Sequence, residues 1–393
     1  MRRGFVVFIL LVAALGGALL VVLRVGLPMQ APRPPEGVLI GAVNGSATDT
    51  SRPDLFSGAA RRVVPFQMLY SAKAPGTYAP YMPDAGPQID AIAKSHGWMS
   101  GVLLGRIGTL AAPWTDAAKP LPGGPFPVII YLPGVTGYMQ MGSFQTVDLA
   151  AQGYIVVTLN QSGAVAAAVL PDHQTILGLT REDAGSLIAP SYRATDQALP
   201  TRFAKGLAPD NSIVPYFAAD VGLVLDRLAQ INADPAHILQ GKLDLDHVAV
   251  MGMSLGAIVT AQACAADARI DACLMMDAPV PTDVASVGLR QAALWISRPA
   301  EDQRLERAAS GGWPDDEIDA QAATIDQALS HSEHGQLVQL HRLFHLDFTD
   351  LPAIQPVIGW LGQSGSAGVV EAHRQINQLT RAFFAQTIGA AVR

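Results

Sequence analysis

The chain has 393 residues, half of them apolar and only 15% charged, with a formal net charge of −7. That length and apolar content suffice for a large buried core in one or two domains. The acidic balance, with no basic stripe, argues against nucleic acid as a partner.

Read in chain order, the first feature is Gly4–Leu23, an unbroken apolar run preceded by Arg2-Arg3 and followed by Arg24. A bilayer core takes a helix of about 20 residues, whereas a cleaved signal has an apolar core of about 7–15 and a small-x-small site. The run predicts an N-terminal apolar helix over 1–28 that stays as a membrane anchor. The alternative is a cleaved signal and a secreted protein. Arg2 and Arg3 favour a cytoplasmic N-terminus, although Arg24 and Arg33 weaken that bias. The folded part is therefore expected outside the cytoplasm, periplasmic or extracellular. Met29–Thr50, rich in Pro, Gly and Ala, reads as a tether, giving a linker over 29–60 and one folded domain over 61–393.

Arg62–Tyr70 predicts an early strand, placed at a sheet edge because Pro65 cannot donate to a ladder. Pro75–Pro125 is loop-rich, with one helix over Gln88–Lys94. A buried alternation then begins: strand Pro127–Leu132, helix Phe144–Gln152 and strand Tyr154–Leu159. The polar segment 171–211 has no sustained period and reads as an inserted loop or lid. Val221, Val224, Leu225 and Leu228 mark an amphipathic helix. Strands His247–Met253, Ala272–Met276, Ala292–Ser297 and Gln336–Leu340 follow, then a terminal helix over Val369–Ile388. Strands apolar on both faces, alternating with helices, predict an α/β fold: a doubly wound, mostly parallel sheet with a lid-like insertion. Cys264 and Cys273 should meet at the bottom of the sheet, where a disulfide is permitted. The preferred reading is two small buried apolar residues.

The chemistry begins at Gly252-Met253-Ser254-Leu255-Gly256, where an apolar strand turns sharply into a helix. Such a turn holds a serine in a strained conformation, and side chains at Gly252 and Gly256 would collide with neighbouring elements. Ser254 is thus the candidate nucleophile, exposed where the helix dipole favours a developing anion. It needs a base and an orienting acid, expected in the chain order Ser, Asp or Glu, His. His345, in a loop just after the last strand, is the best-placed base. His341 reads as a packed or edge-strand residue, His331 and His334 as solvated, and His373 as a surface residue of the terminal helix. Asp277 ends an apolar strand and is the preferred acid. Glu301 and Asp302, the competitors, lie in a run with Arg298, Arg304 and Arg307 that salt bridging would explain. The oxyanion donors are expected to be the Leu255 amide and, from Pro133-Gly134-Val135-Thr136-Gly137, the Val135 amide. Tyr138, Met139 and Met141 read as helix-start packing or, alternatively, an apolar acyl pocket. The histidines lack H-E-x-x-H or comparable spacing, so no metal and no cofactor are expected.

Six segments carry a resemblance to the plasma-type platelet-activating factor acetylhydrolase family of α/β-hydrolases, especially its bacterial, lipase-like members. They are Pro127–Gly134, Leu149–Val157, Asp220–Leu228, Asp246–Gly256, Leu274–Asp277 and His345–Asp350 (HLDFTD), within a span from Ser51 to Ile388. The family's acid and its H-x-x-F-x-D histidine fall on Asp277 and His345. Two departures stand out. Human-type members have His-Gly where this chain has Pro133-Gly134, and the 171–211 segment is its own. The resemblance implies a metal-independent hydrolase acting at lipid surfaces.

The expected reaction is ester hydrolysis through an acyl-enzyme on Ser254, with a short-acyl or phospholipid-like substrate. Other esters, lactones or polyesters fit the same residues, as do acyl transfer and peptide hydrolysis. A membrane-tethered scaffold without catalysis would be expected to lack a member of the triad, whereas all three are present in order.

Overall fold

In the computed structural model, residues 29–194 and 212–389 are described. The anchor expected over 1–28 and the latter part of the 171–211 insertion lie outside them. Among the described residues, no helix is long and apolar enough to cross a membrane.

One large sheet organises the chain. Its central strands are β6 (Phe126–Leu132), β7 (Ile155–Leu159), β10 (Leu243–Met253), β11 (Ala272–Met276), β12 (Ala292–Ser297) and β13 (Gly335–Gln339), all parallel. The order across the sheet runs β13-β12-β11-β10-β6-β7, then β2 (Arg62–Ala74), β1 (Leu39–Asp49), β4 (Ala111–Asp116) and β3 (Thr77–Pro80), with β5 (Lys119–Pro120) beside β2. From β6 the chain first builds outward to β7, then returns to add β10 on the other side of β6. That reversal leaves a crevice at the carboxyl ends of β6 and β10, the usual place for a ligand in an open α/β sheet.

The strands are apolar on both faces because both are covered. Val128, Ile130, Val250 and Met275 face a core shared with helices α5 (Val214–Ala233) and α6 (Leu255–Ala266). Ile129, Tyr131, Met251 and Leu274 face a second core, closed by α3 (Ser143–Ala151), α12 (Val369–Thr387) and α1 (Ala85–His96). The described part of the 171–211 insertion holds β9 (Thr175–Leu177), paired with β8 (Ala167–Val169) just ahead of it, and α4 (Arg181–Ile188). Arg193, just after it, pairs with Asp316 and Glu317 at the start of α9 (Asp315–His331).

Four expectations need correction. The segment read as a tether contains β1 (Leu39–Asp49), which pairs antiparallel with β2 (Arg62–Ala74) along its whole length. With β1 outside it, β2 is an interior strand. Pro65 is tolerated because the β7 pairing starts only at Phe66, and the Pro65 carbonyl still accepts from the Asn160 amide at 2.8 Å. The loop-rich stretch before β6 holds more than one helix: β3 (Thr77–Pro80), α2 (Trp98–Leu104) and β4 (Ala111–Asp116) belong to it. The two cysteines are joined in a Cys264–Cys273 disulfide, with Cα atoms 6.5 Å apart. Both remain fully buried, so each is also the small apolar residue expected.

Candidate active site

The site is built at the carboxyl ends of β6, β10, β11 and β12. Ser254 sits between β10 and α6 with φ 56° and ψ −125°, a conformation L residues avoid. The turn survives because its surroundings fix it. The Ser254 amide donates to the Met276 carbonyl at 3.0 Å, and its own carbonyl accepts from Ala257 and Ile258. Close packing explains the flanking glycines. A Cβ on Gly252 would lie 2.2 Å from the Gly256 oxygen, and one on Gly256 would lie 2.0 Å from the Leu132 oxygen.

Asp277 follows β11 and also adopts positive φ (49°), its amide donating to Ile296 at 2.9 Å. Its buried carboxylate meets His345 Nδ1 at 2.6 Å. The Ser254–Met276 bond joins the two strand ends, so Ser254 lies beside the strand end that carries Asp277, whose carboxylate holds His345. Glu301 and Asp302 are not His345's partner. Glu301 is exposed, while Asp302 is turned to the Arg342 amide at 2.7 Å.

Two charged residues not anticipated as functional complete this arrangement. Arg298 follows β12 and donates through Nε to Asp277 Oδ2 at 2.9 Å; its Nη1 reaches Glu306 Oε2 at 2.5 Å. Glu306, on α8 (Ala300–Ser310), uses its other oxygen to accept the His345 amide at 3.1 Å. Burial alone would push the Asp277 carboxyl up. The Arg298 charge and the His345 hydrogen bond outweigh it and hold that carboxyl well below the usual range. Gln321 on α9 donates to Ser297 Oγ at 2.9 Å and lies near Asp277 Oδ1. The Trp313 ring meets that of His345 edge-on, centroids 5.4 Å apart.

The loop expected to hold an oxyanion donor, 133–137, follows β6. The Thr136 amide donates to Ala164 and the Gly137 amide to Gly134, so those two donors are occupied. Among the described residues, the amides of Val135 and Leu255 have no protein acceptor. Gly134 abuts Ser254, since a Cβ there would come within 3.1 Å of the Ser254 Cβ. Thr136 has φ 55°, and its hydroxyl oxygen lies 2.7 Å from His96 Nε2 at the end of α1. Tyr138 and Met141 are buried in the second core, as helix-start packing requires.

The loop after His345 is clasped from beneath. Asp350 Oδ2 accepts from the Ser143 amide at 2.7 Å and Oδ1 from the Phe144 amide at 2.8 Å, with Tyr81 and Ser143 hydroxyls also in reach. Burial pushes this carboxyl up to about 7 against those donors. His373 departs from expectation: it stacks on Phe144 at 3.7 Å and lies 3.0 Å from the Thr349 carbonyl. His341 departs too, being well exposed beyond the end of β13. His331 and His334 are exposed, as expected.

No protein-family model matches the chain, and no curated protein matches it. Its fold is that of the α/β-hydrolases. A ferulic acid esterase from Streptomyces cinnamoneus superposes with a TM-score of 0.67 at 19% identity, over 92% of this chain and 94% of that one. A protein described as a dienelactone hydrolase from Klebsiella pneumoniae aligns at 13% identity over 88% and 99% of the two chains, with a TM-score of 0.42.

Proposed function

We propose that the protein is a serine carboxylic-ester hydrolase. The observation that carries this reading is a serine held at positive φ between strand and helix, next to a strand end whose buried Asp277 carboxylate holds the His345 ring. In the reaction, Ser254 attacks the ester carbonyl while His345 takes its proton. Asp277 fixes the imidazole and stabilises its charged form, and the Val135 and Leu255 amides receive the oxyanion. The alcohol leaves with the proton from His345. Water, deprotonated by the same ring, then frees the acid and restores the serine.

The finer reading is a short-acyl or phospholipid-like ester, as in the platelet-activating factor acetylhydrolases that the HLDFTD segment resembles. An apolar rim supports it. Trp98 and Met99 are 74% and 51% exposed, and Trp360 and Leu361 are 83% and 50% exposed. The two helices carrying them are linked by Gln355, which donates to the Leu103 carbonyl at 3.2 Å. The Gln30 backbone amide donates to the Ile354 carbonyl, so the first described residues lie beside these helices. Attachment through the apolar run Gly4–Leu23, with the folded part outside the cytoplasm, agrees with the disulfide.

The test is p-nitrophenyl ester hydrolysis, acetate to palmitate, by carbonate-washed membranes carrying the full chain or its Ser254→Ala variant. Turnover that stays with the membranes, favours short acyl chains and disappears in the variant is expected. Equal turnover in the variant, or none at any chain length, refutes the hydrolase. Activity released by the wash refutes the anchor.

A further inference from the structure

Asp277, Arg298 and Glu306 form one buried charged unit that reaches His345 at two points. Asp277 Oδ2 holds the ring at Nδ1, and Glu306 Oε1 holds the same residue's backbone amide. Arg298 bridges the two carboxylates, with side-chain exposures of 0%, 0% and 6% for Arg298, Asp277 and Glu306. Two carboxylates and one guanidinium leave the unit a single negative charge while the imidazole is neutral. Protonation of His345 brings the total to zero.

A lone arginine on the triad acid would be a poor device, since its positive charge opposes the imidazolium that forms as Ser254 loses its proton. Glu306 cancels that opposition while leaving Arg298 free to orient Asp277. A purely structural brace would not need the second carboxylate to reach the histidine. We propose that Arg298 and Glu306 are positioning residues that together set the ease with which His345 takes up a proton, Arg298 lowering it and Glu306 raising it. The proposal rests on His345 being the general base of the reading above.

Other charges and titratable groups border the unit from neighbouring elements. Asp347, in the turn begun by His345, accepts from the Phe344 and Gly365 amides and the Ser364 hydroxyl. Asp302 on α8 accepts the Arg342 amide, and His341 lies 3.9 Å from it. Trp313 and Gln321, both neutral, fill the remaining sides.

The experiment is a pH titration of the His345 ring by NMR on the histidine-labelled full chain in detergent micelles, its signal assigned from a His345→Asn sample. No substrate is needed, so the result stands apart from the hydrolase reading. Glu306→Gln should move the His345 midpoint down by about one pH unit and Arg298→Gln up by about one, the size expected of a near, partly screened charge. Arg298→Lys, which keeps the charge, should leave the midpoint within about 0.3 unit of wild type even if turnover falls. In a hydrolase, the acid limb of kcat/KM should follow the same order. Shifts in the same direction for Glu306→Gln and Arg298→Gln, or none beyond about 0.3 unit, overturn the proposal. Should Arg298→Gln fail to fold, Glu306→Gln and Arg298→Lys decide alone: an unmoved Glu306→Gln midpoint, or an Arg298→Lys midpoint shifted like a lost charge, overturns it.

Discussion

Replacing Gly256 by alanine probes whether the nucleophile turn and the oxyanion loop are one rigid piece. The new Cβ would sit 2.0 Å from the Leu132 oxygen, 2.6 Å from its carbon and 2.8 Å from the Pro133 oxygen. Non-bonded Cβ contacts below 3.0 Å essentially do not occur, so helix and loop must part by about 1 Å. The atoms in the way belong to backbone, and no side chain can swing aside to make room. The loop that moves carries Val135, whose amide must point within a few tenths of an ångström of the oxyanion. Losing one such donor costs about 10²–10³ in kcat, and a 1 Å misplacement costs a comparable factor. Overpacking adds about 1–3 kcal/mol of destabilisation. The assay pairs p-nitrophenyl butyrate turnover with a thermal melt. A folded variant with kcat down at least 100-fold and KM little changed is expected. Wild-type turnover would show that strand β6 and helix α6 are not in the contact described, and the oxyanion assignment would fall with it.

Two further outcomes follow from elements away from the nucleophile. The Cys264–Cys273 bridge spans nine residues of sequence. Closing a loop of about 10 residues is worth about 2.7 kcal/mol on chain-entropy grounds. The double alanine variant should therefore melt about 4 °C lower, taking about 2.1 cal/mol/K of unfolding entropy per residue. An unchanged melting temperature would refute that contribution. Burial lowers His373 to about 4, despite its contact with the Thr349 carbonyl. The unfolded chain protonates near pH 6.5 while the folded protein resists until about 4, so stability should fall as pH drops through that window. His373→Phe, which keeps the stack on Phe144, should lose that part of the pH dependence in denaturant titrations; an unaltered profile would contradict it.

The parallel strands were legible because burial on both faces leaves unbroken apolar runs, and the observed bounds of β11 and β12 match the expected ones. The first strand was hidden by its composition. Gly41 and Gly45 look like loop residues, yet a Cβ on either would strike the Tyr70 or Phe66 ring at 2.5 or 2.6 Å. Those glycines make room for aromatics of β2 and break no strand. Ser254, Asp277 and His345 were named from motif and chain order, and the Asp277–His345 contact agrees with that order. Arg298 and Glu306 could not, because a run of alternating charges normally signals a solvated face. The helix α8 is turned the other way, with Leu305 61% exposed while Asp302 and Glu306 point inward. Their spacing of four was the available signal, overridden by the charged character of the run. His373 was misplaced for a related reason: a polar helix flank gives no sign that an aromatic ring from another element will lie against it.

The pairing of β1 with β2 has a practical consequence for anyone cutting this chain. Residues 49–60, read from sequence as the end of a linker, carry Arg52 and Asp54, and Arg62 opens β2. Both arginines pair with Asp220 of α5, and Arg62 also holds Asp54. Asp220 is fully buried, so a fragment begun at residue 61 would lose Arg52 and Asp54 from this cluster and bare the whole flank of β2 to self-association. A fragment intended to fold should begin ahead of Leu39. Proteases acting on the native protein should cut, if anywhere on this side, before that strand and leave everything after it in one piece.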